Sequence, residues 1–249
     1  MSYVDLHCHL LPGLDDGAAT MADTVAHARR LEAVGVTDVA CTPHIKRRDF
    51  PAIEIARLAA LRARAQRELD DRGIGVRLHA GGELGHDEAL VLVRDELELI
   101  AQGPPHGRWL LLECPFAGIE ADFTAAAERL WGLGYELLLA HPERAAAVAG
   151  ADRRVLDLID RGALVQVNAT SLLGRHGAVA RAGAERLLGA GMVWCLASDG
   201  HPGTRDDILD RGYEALVASG VHERVAAVLT QGNPRALLLD GVPRLALAA

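Results

Sequence analysis

The chain has 249 residues, half of them hydrophobic, enough to bury a core the size of one α/β barrel. Its formal net charge of −8 argues against general nucleic-acid binding, which rests on phosphate neutralisation by Lys and Arg. No linker-like stretch or break in composition divides it, so residues 1–249 read as a single domain.

In chain order, short apolar runs alternate with longer helical patterns. The runs are Tyr3–Cys8, Thr37–Cys41, Val76–Ala80, Trp109–Cys114, Glu136–Ala140, Ala163–Val167 and Met192–Ala197. They are too short for helices and rich in Val and Leu, as buried parallel strands are. The helical patterns cover Met21–Val34, Ala52–Arg72, Asp87–Ala101, Ala121–Leu133, Ala151–Arg161, Gly177–Ala190 and Thr204–Ser219. Thr20 and Asp23 form a capping-box pair at the first helix, and Gly35 stops it. A last helix is expected to start at Asn233-Pro234, with Asn as cap. About seven strand–helix repeats predict parallel strands joined by right-handed crossovers. Closure into a barrel fits better than an open doubly wound sheet, because no Gly-rich phosphate loop follows the first strand.

No apolar run approaches the ~18 residues of a membrane span. The N-terminus runs straight into YVDLHCH without a charged-then-apolar leader, which predicts a cytoplasmic protein. The four cysteines, at 8, 41, 114 and 195, lie in apolar runs with no CxxC pair and read as small buried residues in a reducing compartment.

The chemistry sits at the strand ends. Strand 1 ends in His7-Cys8-His9, and alternation puts both histidines on one face with Cys8 on the other. Later strands end near His44, Gly81-Gly82-Glu83, Glu113, His141-Pro142-Glu143-Arg144, Asn168 and Asp199-Gly200-His201. In parallel barrels that rim is where active sites are built. A lone histidine is more often structural, but five of the eleven histidines recur here beside acidic residues. His27, His86, His106, His176 and His222 are expected to be solvated or packed. His79 shares side-chain parity with Glu83, yet packing is favoured for it too.

If Asp16, Glu83, Glu113 and Asp199 converge, four negative charges meet. Two carboxylates ~5 Å apart repel by roughly 3 kcal/mol at an effective dielectric of 20, so cations or protons must intervene. Imidazole and carboxylate without cysteine suit Mn, Fe or Zn and disfavour a closed structural zinc site. Paired metals activate water and clamp both oxygens of an in-line displacement, which points to phosphoester hydrolysis by a metal-activated hydroxide.

A competing pattern is Cys41 with Arg47, spaced as C-x5-R in cysteine phosphatases. The intervening TPHIK has no glycine, and Pro43 removes an amide that a phosphate cradle needs, so this reading is the weaker.

The ordered set resembles the PHP family, named for polymerase and histidinol phosphatase domains, over nearly the whole chain. The stretch DLHCHLLPGLDDGAATM is similar to that of manganese-dependent protein-tyrosine phosphatases of bacterial capsule and exopolysaccharide synthesis. HPER at 141–144, QVN at 166–168, ASDGH at 197–201 and NPRALL at 233–238 follow in the same order. The resemblance implies a distorted (β/α)7 barrel with helices outside and three divalent metal ions, manganese first, with iron or zinc as alternatives. It implies His7, His9, Asp16, His44, Glu83, Glu113, His141, Asp199 and His201 as ligands, with Glu83 the catalytic bridge. It implies Arg144 and Arg205 as catalytic contacts to the substrate phosphate. The implied substrate is a phosphotyrosine protein, such as a bacterial tyrosine kinase of polysaccharide synthesis. Rival readings are a small substrate such as histidinol phosphate or a sugar phosphate, and a non-catalytic metal-binding domain. Two features depart from the subgroup. The spacing from ASDGH to Arg205 is short, and Gly82–Glu88 carries no aromatic residue to serve as a platform for a tyrosine ring.

Overall fold

Every position of the first strand, β1 (Tyr3–Cys8), is buried, as expected of a strand covered on both faces. The computed structural model describes residues 1–117, 121–145, 153–205 and 209–243. β2 (Val36–Cys41) pairs in parallel with β1. Pro43 has no amide to donate, and the chain resumes as the two-residue β3 (His44–Ile45). β4 (Arg77–His79) pairs with β2, and after Gly81-Gly82 the chain resumes as β5 (Glu83–Leu84), which pairs with β3. The glycine pair is needed here: a Cβ on Gly82 would stand 2.8 Å from Ile45 Cγ1. β6 (Trp109–Glu113), β7 (Glu136–Ala140), β8 (Leu164–Asn168) and β9 (Cys195–Ala197) follow in order, all parallel.

The pairing gives two sheets, β1-β2-β4 and β3-β5-β6-β7-β8-β9. β2 with β3, and β4 with β5, are each one strand broken at the same level. Counted so, the described residues give the barrel seven strands, and a parallel bridge between Cys8 and Gly200 returns the last to the first. This is the expected (β/α)7 arrangement.

The lumen grades from apolar to polar. Val4, Leu6, Trp109, Leu111, Leu138, Ala140 and Cys195 pack together, closed off by Leu237 and Val242. Alternation along the same strands then puts Glu113, Gln166, Asn168 and Asp199 on that face at the C-terminal end. In β1 the register with β2 shifts between Asp5 and Cys8, and beyond it His7 and His9 take the lumen side. Cys8 joins the outer core instead.

The helices wrap outside. They are α1 (Met21–Ala33), α2 (Ile55–Asp70), α3 (His86–Ala89), α4 (Arg94–Ile100), α5 (Ala121–Gly132), α6 (Arg153–Asp160), α7 (Ala169–Leu172), α8 (Gly177–Gly189), α9 (Leu209–Ala218), α10 (Glu223–Ala227) and α11 (Asn233–Leu239). Thr20 caps α1 reciprocally with Asp23, as the sequence indicates.

Three expectations are corrected. The helix expected over Asp87–Ala101 is two. Glu88 ends the first by holding the backbone amide of Arg47 at 3.0 Å and its Nε at 2.9 Å, and Glu96 takes the Val93 amide at 3.1 Å to start the second. Thr204 does not open a helix; it lies in a turn that returns Arg205 to His201, while residues 206–208 lie outside the described part. Asn233 is not a cap: a π-helical turn at Val228–Gly232 runs into α11, and the Asn233 amide donates to the Trp194 carbonyl at 2.8 Å. Residues 151–152 of another expected helix lie outside the described part. Among the described residues no helix is long and apolar enough to cross a membrane.

Candidate metal centre

At the C-terminal mouth of the barrel the strand ends deliver their side chains to one point. Glu83, at the start of β5, is fully buried. Its Oε2 lies 3.3 Å from His7 Nε2, 3.3 Å from His9 Nε2 and 2.9 Å from His44 Nδ1. Its Oε1 lies 2.8 Å from His141 Nε2. Asp199 Oδ1 sits 3.5 Å from both His7 Nε2 and His9 Nε2. Asp16 Oδ1 meets His201 Nε2 at 3.1 Å and His44 Nε2 at 3.5 Å, and Glu113 Oε2 is 3.8 Å from His44 Nδ1. All nine residues expected as ligands therefore meet.

Four overlapping groups have donor atoms within 4.8 Å of one another: His9, Asp16, His44 and His201; His7, Glu83 and His141; His7, His9 and Asp199; and His44, Glu83 and Glu113. Glu83, His7, His9 and His44 each belong to two.

The backbone is strained where it presents two of these donors. His141 and Asp199 have φ of 36° and 51°, the left-handed region, and they are the two non-glycine residues with positive φ among those described. Such conformations cost on the order of 1–3 kcal/mol each and persist where the surroundings over-determine them. The short turn after His201 also explains the spacing to Arg205. His201 and Arg205 exchange backbone hydrogen bonds of 3.0 and 2.9 Å, folding the arginine back over the site.

A set of buried partners orients the donors. Asp15, which the sequence reading passed over for Asp16, takes His9 Nδ1 at 2.8 Å and the His44 amide at 2.9 Å. Gly17 lets this loop close, since a Cβ there would stand 2.2 Å from the His9 carbonyl. Gln166 Oε1 meets His7 Nδ1 at 3.0 Å, and its amide donates to Asn168 Oδ1, whose own amide donates to Asp199 Oδ2 at 2.8 Å. Arg144 and Arg205 donate to that same Oδ2 at 2.9 and 2.6 Å, leaving Oδ1 to the histidines. Asp5 braces the strand ends by accepting from the Ser198 hydroxyl and amide. An Asp in the loop after a strand, six residues past a histidine, is too common a pattern to mark Asp15 in sequence.

Burial disfavours the charged form of Glu83, yet His7 and His44 outweigh it and hold the carboxyl well below the usual range. Asp199 is likewise held low against burial by His7 and His9. His9 is pushed well above the ordinary imidazole value because Asp15, Asp199 and Glu83 overcome its burial. Carboxylates that stay ionised in a buried site, beside His7 and His9, which these acids also hold above the ordinary imidazole value against burial, are the electrostatic complement of cations.

The residues fit divalent ions on three grounds. The donors are imidazole and carboxylate alone. Glu83 Oε2, His44 Nδ1 and His141 Nδ1 are buried and lack a hydrogen bond of acceptable geometry. The ring nitrogens of His7 and His9 stand 3.2 Å apart, close to the ~3.0–3.4 Å expected between two ligands of an ion bonded at 2.0–2.1 Å.

The residues expected to stay outside mostly do. His79 pairs with Asp38 on the first sheet, and His27 packs beside Cys8. His176 lies at the rim, where burial and then Arg144 push it down to about 4, a neutral ring holding Thr170. The C-x5-R reading fails: Cys41 is buried, with its thiol pushed up to about 12 by that burial, and Arg47 is paired with Glu88. All four cysteines are buried. Lys46, not foreseen, places its ammonium 2.5 Å from Glu113 Oε2.

The model of the family described as capsular polysaccharide synthesis, CpsB/CapC, matches residues 3–239. The chain belongs to this family. It is 28% identical to the tyrosine-protein phosphatase YwqE of Bacillus subtilis over 80% of this chain and 77% of that protein. It is 27% identical to CapC of Staphylococcus aureus over 92% of this chain and 89% of that one. A solved structure from a study of YwqE and of CpsB from Streptococcus pneumoniae, called unique metal-dependent tyrosine phosphatases, superposes with a TM-score of 0.81. It shares 24% identity and is covered over 96% of this chain and 94% of that one. That likeness supports the fold.

Proposed function

We propose that the chain is a metal-dependent protein-tyrosine phosphatase, with residues 1–249 acting as one catalytic domain. His7, His9, Asp16, His44, Glu83, Glu113, His141, Asp199 and His201 would hold three divalent ions, with Glu83 shared between them. Manganese heads the candidates, and iron and zinc share its taste for imidazole and carboxylate. Such ions activate water and neutralise charge on the transferred phosphoryl group. Arg144 and Arg205 would bind and orient the outer phosphate oxygens; their hydrogen bonds of 2.9 and 2.6 Å to Asp199, beside the donor cluster, support that role. A tyrosine phenolate, with a pKa of ~10, leaves readily. The substrate we favour is a phosphotyrosine protein, such as a bacterial tyrosine kinase of polysaccharide synthesis, met in the cytoplasm. YwqE and CapC, matched over most of the chain, support this reading over a small phosphate.

One observation carries it: a single buried carboxylate oxygen, Glu83 Oε2, faces nitrogens of three histidines within 3.3 Å. The test is metal analysis of purified protein together with turnover of phosphotyrosyl peptides, with and without chelator. Bound transition metal and chelator-sensitive release of phosphate are expected. Full activity in metal-free buffer would end the proposal.

A further inference from the structure

Aromatic side chains are scarce here, at 4% of residues, and there are three phenylalanines. Phe123 is fully buried. Phe50 lies flat against His44, ring centroids 4.9 Å apart and planes 1° from parallel. Phe116, three residues past Glu113, is 48% exposed, the only aromatic among the large exposed hydrophobic side chains described. Its ring lies 4.4 Å beneath the Arg144 guanidinium carbon and 5.6 Å from the His141 ring.

An apolar ring held half open to solvent forgoes burial that any apolar ligand would restore. Its position gives that ligand an address. Arg144 bonds Asp199 through one nitrogen while its plane covers part of Phe116. A phosphoryl group bound at Arg144 would lie beside the Phe116 ring, which packs against the same guanidinium. An aromatic group on its ester oxygen has a flat apolar face to bury against that ring; a short alkyl group has far less surface to offer.

We infer that Phe116 is a specificity-determining residue that selects aryl over alkyl phosphate esters by forming a wall for the leaving group's ring. It supplies the aromatic surface that Gly82–Glu88 lacks. The inference rests on the phosphatase reading and names the substrate class of that site.

The test compares benzylphosphonate, whose CH2 stands in for the ester oxygen, with methylphosphonate, binding to the manganese-loaded protein by calorimetry, in the parent, Phe116→Ala, Phe116→Leu and Phe116→Tyr. Benzylphosphonate should weaken about tenfold in the Ala and Leu variants, the size of one aromatic pair contact, and recover in the Tyr variant. Methylphosphonate should stay within about twofold, because it makes no ring contact. Equal weakening of both ligands would mean that Phe116 only holds Arg144 and would overturn the inference. So would a parent protein with no preference for the benzyl compound. The Leu variant keeps an apolar side chain, so a fold defect in the Ala variant leaves the test standing. Turnover of a phosphotyrosyl peptide by the parent is read separately: its absence defeats the phosphatase reading, whereas turnover with no benzyl preference defeats only the assignment of Phe116.

Discussion

Two histidine–carboxylate clusters among the described residues differ in whether their atoms satisfy one another. Near the starts of β1 and β2, Asp38 accepts from His79 at 2.9 Å, Thr37 at 2.8 Å and Arg235 at 3.2 Å. The cluster is complete as it stands. At the barrel mouth the same residue types crowd together, yet Glu83 Oε2 and His44 Nδ1 are left without a hydrogen bond. A self-satisfied cluster stabilises a fold, whereas a crowded, unsatisfied one calls for an ion. Composition alone does not tell them apart.

The contrast can be broken most directly at Glu83. Glu83→Gln keeps the shape and removes the charge. It should lower kcat/KM on a phosphotyrosyl peptide by about a thousandfold or more, equivalent to ~4 kcal/mol, and should lower the metal content read by elemental analysis. Retention of both would place the mouth with the structural cluster. Asp15→Asn sharpens the comparison, because Asp15 is expected not to hold an ion itself but to orient His9 and the backbone at His44. A drop of roughly 10–100-fold in metal affinity or rate is expected of such a partner, measured by metal titration; an unchanged titration curve would remove Asp15 from the site. Asp38→Asn should cost about 1 kcal/mol of stability at neutral pH, kept small by partial exposure, with turnover unchanged. The sign with pH follows from Asp38 being held below its usual range by the His79 hydrogen bond, against burial. Its contribution is fully present above the unfolded carboxyl value of ~3.9 and is lost as pH falls beneath that value. Denaturation of parent and variant should therefore converge in acid; a gap that widens there contradicts the assignment. Cys41→Ser should leave turnover within about twofold, since a buried neutral thiol has no chemical role here, and steady-state kinetics decide it.

Much of this was legible in the sequence because strand ends are marked twice, by the end of an apolar run and by a polar residue following it. His7, His9, Glu113, His141 and Asp199 were all readable in that way. β3 and β5 were not, since two residues are too few to show a period, although His44 and Glu83 stood out as residues. The break between α3 and α4 depends on Glu88 reaching Arg47 across forty-one positions, a contact that local propensity does not encode. Asp15, Lys46 and Phe116 were missed for a related reason. Each matters through a partner distant in sequence or through exposure, and neither is written in neighbouring letters.

The ring of strands has a seam. First and last strands meet through one bridge at Cys8 and Gly200, with hydrogen bonds from His9 to Gly200 and from Asp199 to His7. His7 and His9 lie on one lip of that seam, Asp199 and His201 on the other. Ions shared by those donors would act as a clasp, so that reactivity and closure depend on the same few atoms. Amide exchange in residues 3–8 and 195–201 is then expected to quicken first on chelation, and uniform exchange across the barrel would show that the clasp is not needed.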